Sequence, residues 1–219
     1  MIKYSCIIIL LICLFSCKKN HQNQNNSRVD RLPFYNEATF KPNWVSEKDK
    51  SLDTFHQISS FKFVNQDGKI ITNQTFKNKI YVTDFFFTSC AGICPKMTSN
   101  MKIVQDEFLN DDDVLLLSHS VTPEADSVSV LKEYAKHQGV ISHKWHLITG
   151  LQKDIYKLGR KDYFIEENLG LDKDENDFLH TENFVLIDKN RHIRGIYNGL
   201  NKTSINQLIK DIHTLKTEK

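Results

Sequence analysis

From about residue 60 the chain switches between a strand period and a helix period. Phe61 and Phe63, then Ile70 and Ile71, flank Asn65-Gln66-Asp67-Gly68, the signal of a β-hairpin closed by a turn glycine. Ile80 to Phe87 is a β-rich apolar run and predicts a buried central strand. Pro95 follows Cys94, and Met97, Met101, Val104 and Phe108 then recur at helical spacing. Proline suits a helix's first turn, so this helix is expected to begin close to Cys94. Val114 to Leu117 predicts a second buried strand. Val128, Leu131, Tyr134 and Ala135 predict a helix that Gly139 stops. Trp145 to Ile148 reads as a short third strand, and Leu151, Ile155 and Leu158 mark another helix. Asn183–Ile187 and His192–Tyr197 flank the turn Asp188-Lys189-Asn190-Arg191. A last helix, from Thr203, carries the stripe Ile205, Leu208, Ile209, Ile212 and Leu215.

The order is hairpin, β-α-β-α-β-α, long loop, β-β, α. Such alternation predicts an α/β sheet covered on both faces, and it is similar to a thioredoxin-like plan with an N-terminal hairpin. The inserted long loop is the polar, acidic stretch 160–180, and long loops of this kind are often functional. Ligands of open α/β sheets sit outside the carboxyl ends of the strands, which is where Cys90 falls. Ahead of the domain, residues 31–55 hold Phe34, Tyr35, Phe40 and Trp44 around Pro33 and Pro42, and read as an irregular segment lying on it. Residues 18 to about 30 are polar without an apolar period and read as a flexible spacer.

The first 17 residues have their own explanation. Lys3 precedes the apolar run Ile7 to Phe15, which is too short to span about 30 Å of hydrocarbon as a helix and reads as a secretory signal. Leu14-Phe15-Ser16-Cys17 resembles a bacterial lipobox, with Phe15 bulkier than usual at its position. The resemblance implies cleavage before Cys17 and a lipid on its sulfur; an uncleaved signal anchor is the alternative. Either way the domain is tethered to a membrane outside the cytoplasm. The expected division is therefore a lipoprotein signal peptide at 1–17, spacer and irregular segment at 18–55, and one domain at 56–219. The expected location is a bacterial cell envelope, facing the periplasm. A formal charge of +2 with scattered basic residues excludes a dense nucleic-acid footprint. Nothing in the pattern calls for an oligomer, and a monomer is expected.

Five cysteines are present: Cys6, Cys13, Cys17, Cys90 and Cys94. Processing at Cys17 would remove two and lipidate a third, leaving Cys90 and Cys94. A bridge between them closes so short a loop that it removes little chain entropy, so a purely structural disulfide is a poor use of the pair. Residues four apart at a helix entrance can share a face, and the positive end of the helix dipole favours thiolate. Paired soft thiolates select Cu(I). A third ligand is expected, and His180, at the end of the long loop before the strand 183–187, is the leading candidate. Zinc would prefer four closed ligands. Ser89 and Thr88 are placed to orient the sulfurs. Asp84 is open between a proton acceptor for a cysteine and a satisfied polar group at a strand end. Met97 and Met101 fit the core stripe. Asp111-Asp112-Asp113 reads as a solvated loop.

Phe87-Thr88-Ser89-Cys90-Ala91-Gly92-Ile93-Cys94-Pro95-Lys96-Met97 resembles the CxxxCP signature of the Sco/SenC family. His180-Thr181-Glu182-Asn183-Phe184-Val185-Leu186-Ile187-Asp188 resembles its histidine segment. Ser120-Val121-Thr122-Pro123-Glu124-Ala125-Asp126 is similar to its connecting motif, with Thr122 where an aspartate is usual. The likeness spans roughly 55–215. It implies that Cys90, Cys94 and His180 bind Cu(I) or Cu(II). It also implies a partner, the copper-bearing subunit of cytochrome c oxidase, and a role as copper chaperone for that subunit's dinuclear centre. The competing class is a thiol–disulfide oxidoreductase using Cys90 and Cys94. That class normally carries a narrower C-x-x-C and a proline before the facing strand, and this chain has prolines only at 33, 42, 95 and 123. A peroxidase built on Thr88 and Cys90 lacks the expected upstream proline.

Overall fold

A computed structural model describes residues 27–46, 48–166, 174 and 177–218. The signal-like segment with Cys6, Cys13 and the lipobox Cys17, the start of the polar spacer and the middle of the 160–180 stretch lie outside the described residues. Among the described residues no helix is long and apolar enough to cross a membrane.

The described strands are β1 (Phe34–Tyr35), β2 (Pro42–Asn43), β3 (Lys62–Asn65), β4 (Ile70–Thr72), β5 (Ile80–Phe86), β6 (Val114–Ser120), β7 (Trp145–Thr149), β8 (Asn183–Ile187) and β9 (Ile193–Asn198). They form one sheet in the order β2-β1-β9-β8-β5-β6-β7-β3-β4. The helices are α1 (Cys94–Glu107), α2 (Val128–Gln138), α3 (Gln152–Lys157) and α4 (Lys202–Thr217). Strand β5 is central. It runs parallel to β6, from Ile80 opposite Val114 to Phe86 opposite Ser120, and antiparallel to β8, with Thr83 opposite Val185. The hairpin β3–β4 pairs through β7 at one edge.

The period of two divides β5 and β6 between two cores. Ile80, Val82 and Phe86, with Val114 and Leu116, join the layer of α1, α2 and α4, where Met97 and Met101 are fully buried. Tyr81, Phe85, Leu115 and Leu117 face the other layer, with Ile155 of α3. Burial on both faces is why these strands read as continuous apolar runs rather than alternating ones. Helix α2 is capped by Ser127 at its start and by Gly139 at φ 70°, a left-handed stop that favours glycine.

Four details differ from the sequence reading. The irregular segment 31–55 supplies β1 and β2, and Tyr35 pairs with Ile193 to extend the sheet beyond β9. Buried Arg194 explains the attachment: it donates to the carbonyls of Leu32 and Pro33, lies 3.9 Å over the Phe34 ring, and pairs with Asp188 and Glu218. Leu151, expected inside a helix stripe, is 63% exposed and stands before α3 as its N-cap. The stretch after α3 is not an open excursion at its start: Arg160, Tyr163, Phe164, Ile165 and Glu166 are buried. Asp111 is more than a solvated loop residue, since its carboxylate pairs with Lys216 and its carbonyl accepts from the buried Lys144.

Candidate metal and dithiol site

Strand β5 delivers the chain to a turn in which the Cys90 N–H donates to the Phe87 carbonyl at 3.3 Å, and α1 starts four residues later at Cys94. Ile93 holds the N-cap position and gives no side-chain cap. The Cys90 sulfur serves instead: the backbone N–H groups of Gly92, Ile93 and Cys94 all donate to it. Those of Ile93 and Cys94 are among the donors that a helix start leaves without intrahelical partners. Both cysteines are free thiols in mutual hydrogen-bond contact. Cys90 is half-buried and Cys94 is buried.

The two sulfurs are electrostatically unequal. Burial pushes the Cys90 thiol up, but the hydrogen bond from the Cys94 side chain and those from the three N–H groups outweigh it, and the thiol ends below its ordinary value. Cys94 is pushed up to about 12, first by burial and then by its bond to Cys90; the Phe87 N–H opposes this and the Asp84 carboxylate adds to it. In the reduced pair Cys90 is therefore the more acidic thiol, and Cys94 the one that keeps its proton longer.

His180 comes to the same place from the other side of β5. Cys90, Cys94 and His180 all line one cavity of about 400 Å³, walled by Phe86, Phe87 and Phe178. His180 is exposed, with Nδ1 3.3 Å from the Phe178 carbonyl and its ring stacked along Phe178. Phe178 meets Phe87 edge-on at 5.3 Å. No three His, Cys, Asp or Glu side chains are gathered into a metal-holding cluster among the described residues. The candidate donors are two neighbouring sulfurs and, separate from them, an imidazole that lines the same apolar cavity. Soft thiolates and a borderline imidazole suit a soft cation, and among the described residues no carboxylate lines the cavity, which suits hard cations poorly.

Thr88 and Ser89 were expected to orient the sulfurs, and Thr88 does something else. Its N–H and hydroxyl both donate to Asp126, which also accepts from the Ser120 and Thr122 hydroxyls. Asp126 is fully buried and ties the turn before Cys90 to the turn after β6. The sequence gives a faint signal for this, an acidic residue closing a Ser-Val-Thr-Pro stretch. Asp84 is buried on the α1 face of β5, where Ser118 donates its hydroxyl to it and Trp145 Nε1 donates to Ser118 at 2.8 Å. Burial pushes its carboxyl up to about 7 against the Ser118 bond. Met97 and Met101 have no exposure to the cavity and are core residues.

The family model for SCO1/SenC matches residues 49–217. The chain belongs to the SCO1/SenC family. Among solved structures, a SCO1/SenC family lipoprotein from Bacillus anthracis is 30% identical with a TM-score of 0.64, covering 78% of this chain and 99% of that one. BsSco, described as having a disulfide switch and as a member of the Sco family of cytochrome c oxidase assembly proteins, is also 30% identical with a TM-score of 0.63, covering 75% of this chain and 95% of that one. ScoI of Arabidopsis thaliana, solved with copper bound, is 23% identical with a TM-score of 0.55, covering 71% of this chain and 97% of that one. These likenesses fix the Sco thioredoxin-like fold, and the sheet described above is this chain's version of it.

Proposed function

We propose that this chain is a membrane-tethered copper-binding protein of cytochrome c oxidase assembly, taking copper as cargo through Cys90, Cys94 and His180 for the dinuclear centre of the oxidase subunit. The observation that carries the reading is the pair of reduced thiols in contact at the entrance of α1, opening on a cavity that His180 also lines. Membership of a family that includes an oxidase assembly protein and a copper-bound member supports the cargo and the partner. Cys17 as the lipid site, and an envelope location facing the periplasm, draw support from the lipobox-like sequence and from the Bacillus anthracis lipoprotein.

Copper would supply a soft, redox-active cation able to bind thiolate and imidazole together. The chain's own work is proton management and orientation. Three N–H groups lower the Cys90 thiol toward thiolate, and Cys94 must release its proton for both sulfurs to act as ligands, so uptake releases protons. His180 brings an imidazole nitrogen on a separate segment, so two segments can grip and release one ion. The same contact between thiols favours a second reading, thiol–disulfide exchange, because a Cys90–Cys94 bridge needs little movement. Anaerobic titration of wild type and His180→Ala with Cu(I) and Cu(II) separates them. The metal reading expects one copper per wild-type chain and weakened Cu(II) binding in the variant; unchanged Cu(II) binding removes His180 from the ligand set. Exchange expects turnover of a disulfide substrate that survives His180→Ala and is lost in Cys90→Ser.

A further inference from the structure

Helix α3 does not end in an ordinary turn. It runs into one π-helical turn, Leu158–Asp162, in which the Tyr163 N–H reaches back five residues to the Leu158 carbonyl at 3.0 Å. Such turns are rare and cluster at functional sites. This one places two adjacent residues, Gly159 and Arg160, against the segment that carries His180.

Gly159 forms a hollow. A Cβ there would stand 3.0 Å from Leu179 Cδ2 and 3.1 Å from both Ile165 Cδ1 and Phe85 Cε1. Leu179, fully buried, fills that hollow, and it is the neighbour of His180. Arg160 forms a clamp. Its guanidinium is buried, lies 5.3 Å over the Tyr156 ring, and pairs with Glu166 at 2.7 Å. It donates to the Asp174 carbonyl at 3.3 Å and to the Asp177 carbonyl at 2.7 Å. Glu166 stands before the stretch, and Asp174 and Asp177 on its return. One planar cation thus joins both sides with directed bonds, which a lysine's point charge does not reproduce.

We infer that Arg160, with the hollow at Gly159, is the positioning element that sets the place of His180 at the cavity of Cys90 and Cys94. The route is short. The Asp177 carbonyl is held by Arg160, Phe178 rests on Phe87, Leu179 is seated over Gly159, and His180 follows. A ligand side chain on an exposed loop end gains affinity when its backbone is fixed beforehand, because less ordering remains to be done on binding. The inference rests on the proposed copper role for its consequence, though the positioning itself is independent of metal.

The test compares Arg160→Met, Glu166→Gln, His180→Ala and the double variant Arg160→Met/His180→Ala in the reduced, full-length protein. Arg160→Met keeps the aliphatic stem and removes the donors; Glu166→Gln keeps the volume and is the fallback if the first does not fold. Metal-free, proton NMR is expected to show the Phe178–Phe87 ring contact in wild type and its loss in Arg160→Met, with weakening in Glu166→Gln. With Cu(II), Arg160→Met is expected to lose affinity about 10- to 100-fold, the usual effect of removing a group that orients a ligand. The imidazole nitrogen coupling in the electron paramagnetic resonance spectrum is expected to fade with it. The double variant is expected to bind no more weakly than His180→Ala alone, and the midpoint potential of the Cys90–Cys94 pair is expected to stay at the wild-type value. Ring contact and nitrogen coupling both intact in Arg160→Met and Glu166→Gln overturn the positioning role and leave the copper reading standing. Losses that add to those of His180→Ala also overturn it. Wild type that takes no copper, with the ring contact still dependent on Arg160, sinks the copper reading and leaves the positioning role intact.

Discussion

Asp84 and His119 are neighbours on β5 and β6, both buried, and burial moves them in opposite directions. The Asp84 carboxyl goes up to about 7 from an ordinary 3.8, and the His119 imidazole goes down to about 3 from an ordinary 6.5. Each is therefore neutral in the folded protein while its unfolded form is charged over a window, Asp84 from 3.8 to about 7 and His119 from about 3 to 6.5. For Asp84 the native state holds the extra proton, so stability falls as pH rises from 3.8 to 7. For His119 the unfolded state holds the extra proton, so stability rises as pH goes from 3 to 6.5. Between about 4 and 6.5 each contributes a slope near 1.4 kcal/mol per pH unit, and the two slopes cancel. At pH 5 each group is held neutral against its unfolded preference at a cost of about 2 kcal/mol, both of the same sign though their slopes are opposite; in effect, folding carries one proton from the imidazole to the carboxyl. Burial next to Ser118 and Trp145 for the acid, and among Phe63, Phe85 and Tyr163 for the base, is what keeps both uncharged.

The perturbations are Asp84→Asn and His119→Phe, and the assay is urea unfolding of the reduced, metal-free domain at half-unit steps from pH 4 to 7. His146, pushed down to about 4 by burial, adds a rise of its own that is common to every protein compared, so the slopes are read as differences from wild type. Asp84→Asn is expected to steepen the rise by about 1.4 kcal/mol per unit, and His119→Phe to tilt the curve the other way by the same amount. Identical slopes in wild type and both variants would refute the reasoning, because they require either that the buried groups ionise freely in place or that they stay neutral when unfolded.

Two further outcomes follow from the charges. In the reduced protein, iodoacetamide near neutral pH is expected to modify Cys90 well before Cys94, read by mass spectrometry of the two cysteine positions, because the N–H cradle lowers one thiol and burial pushes the other up to about 12. Equal rates would contradict the asymmetry. Arg194→Met is expected to cost about 3–5 kcal/mol in the same urea assay, since it strands the buried Asp188 and Glu218 carboxylates and releases the Leu32–Phe34 segment from the sheet edge.

The elements that hold the thiols were legible because their chemistry is local. An eight-residue apolar run can only be a buried strand or helix, and the pattern from Pro95 onward decides where strand stops and helix starts. Strands β1 and β2 were not legible, because two residues cannot display a period; their pairing depends on Arg194, whose guanidinium reaches them from β9. The same blindness covered Arg160 and Glu166. In a polar, acidic stretch an arginine and a glutamate read as solvated, and only the apolar triple Tyr163-Phe164-Ile165 signalled that this part of the chain was going inside. Asp126 was equally hidden, since a buried carboxylate satisfied by four donors has no sequence period at all.

Buried charge and exposed ligand are two sides of one arrangement here. The sulfurs sit on the junction between β5 and α1, and Cys90 is fixed there by backbone N–H groups that no substitution of a neighbouring side chain removes. The imidazole is exposed, on a segment whose backbone is held by a guanidinium, a hollow and a ring contact before it enters β8. A site that must both accept and surrender an ion gains from that inequality. Under the proposed copper role, Cys90 and Cys94 would retain the ion in a preset geometry, while His180, fixed through groups outside the cavity, could be displaced without disturbing them. Were all three built on strands and helices, release would require the sheet itself to move, and the charged residues after α3 would have no reason to be buried where an apolar core would cost less.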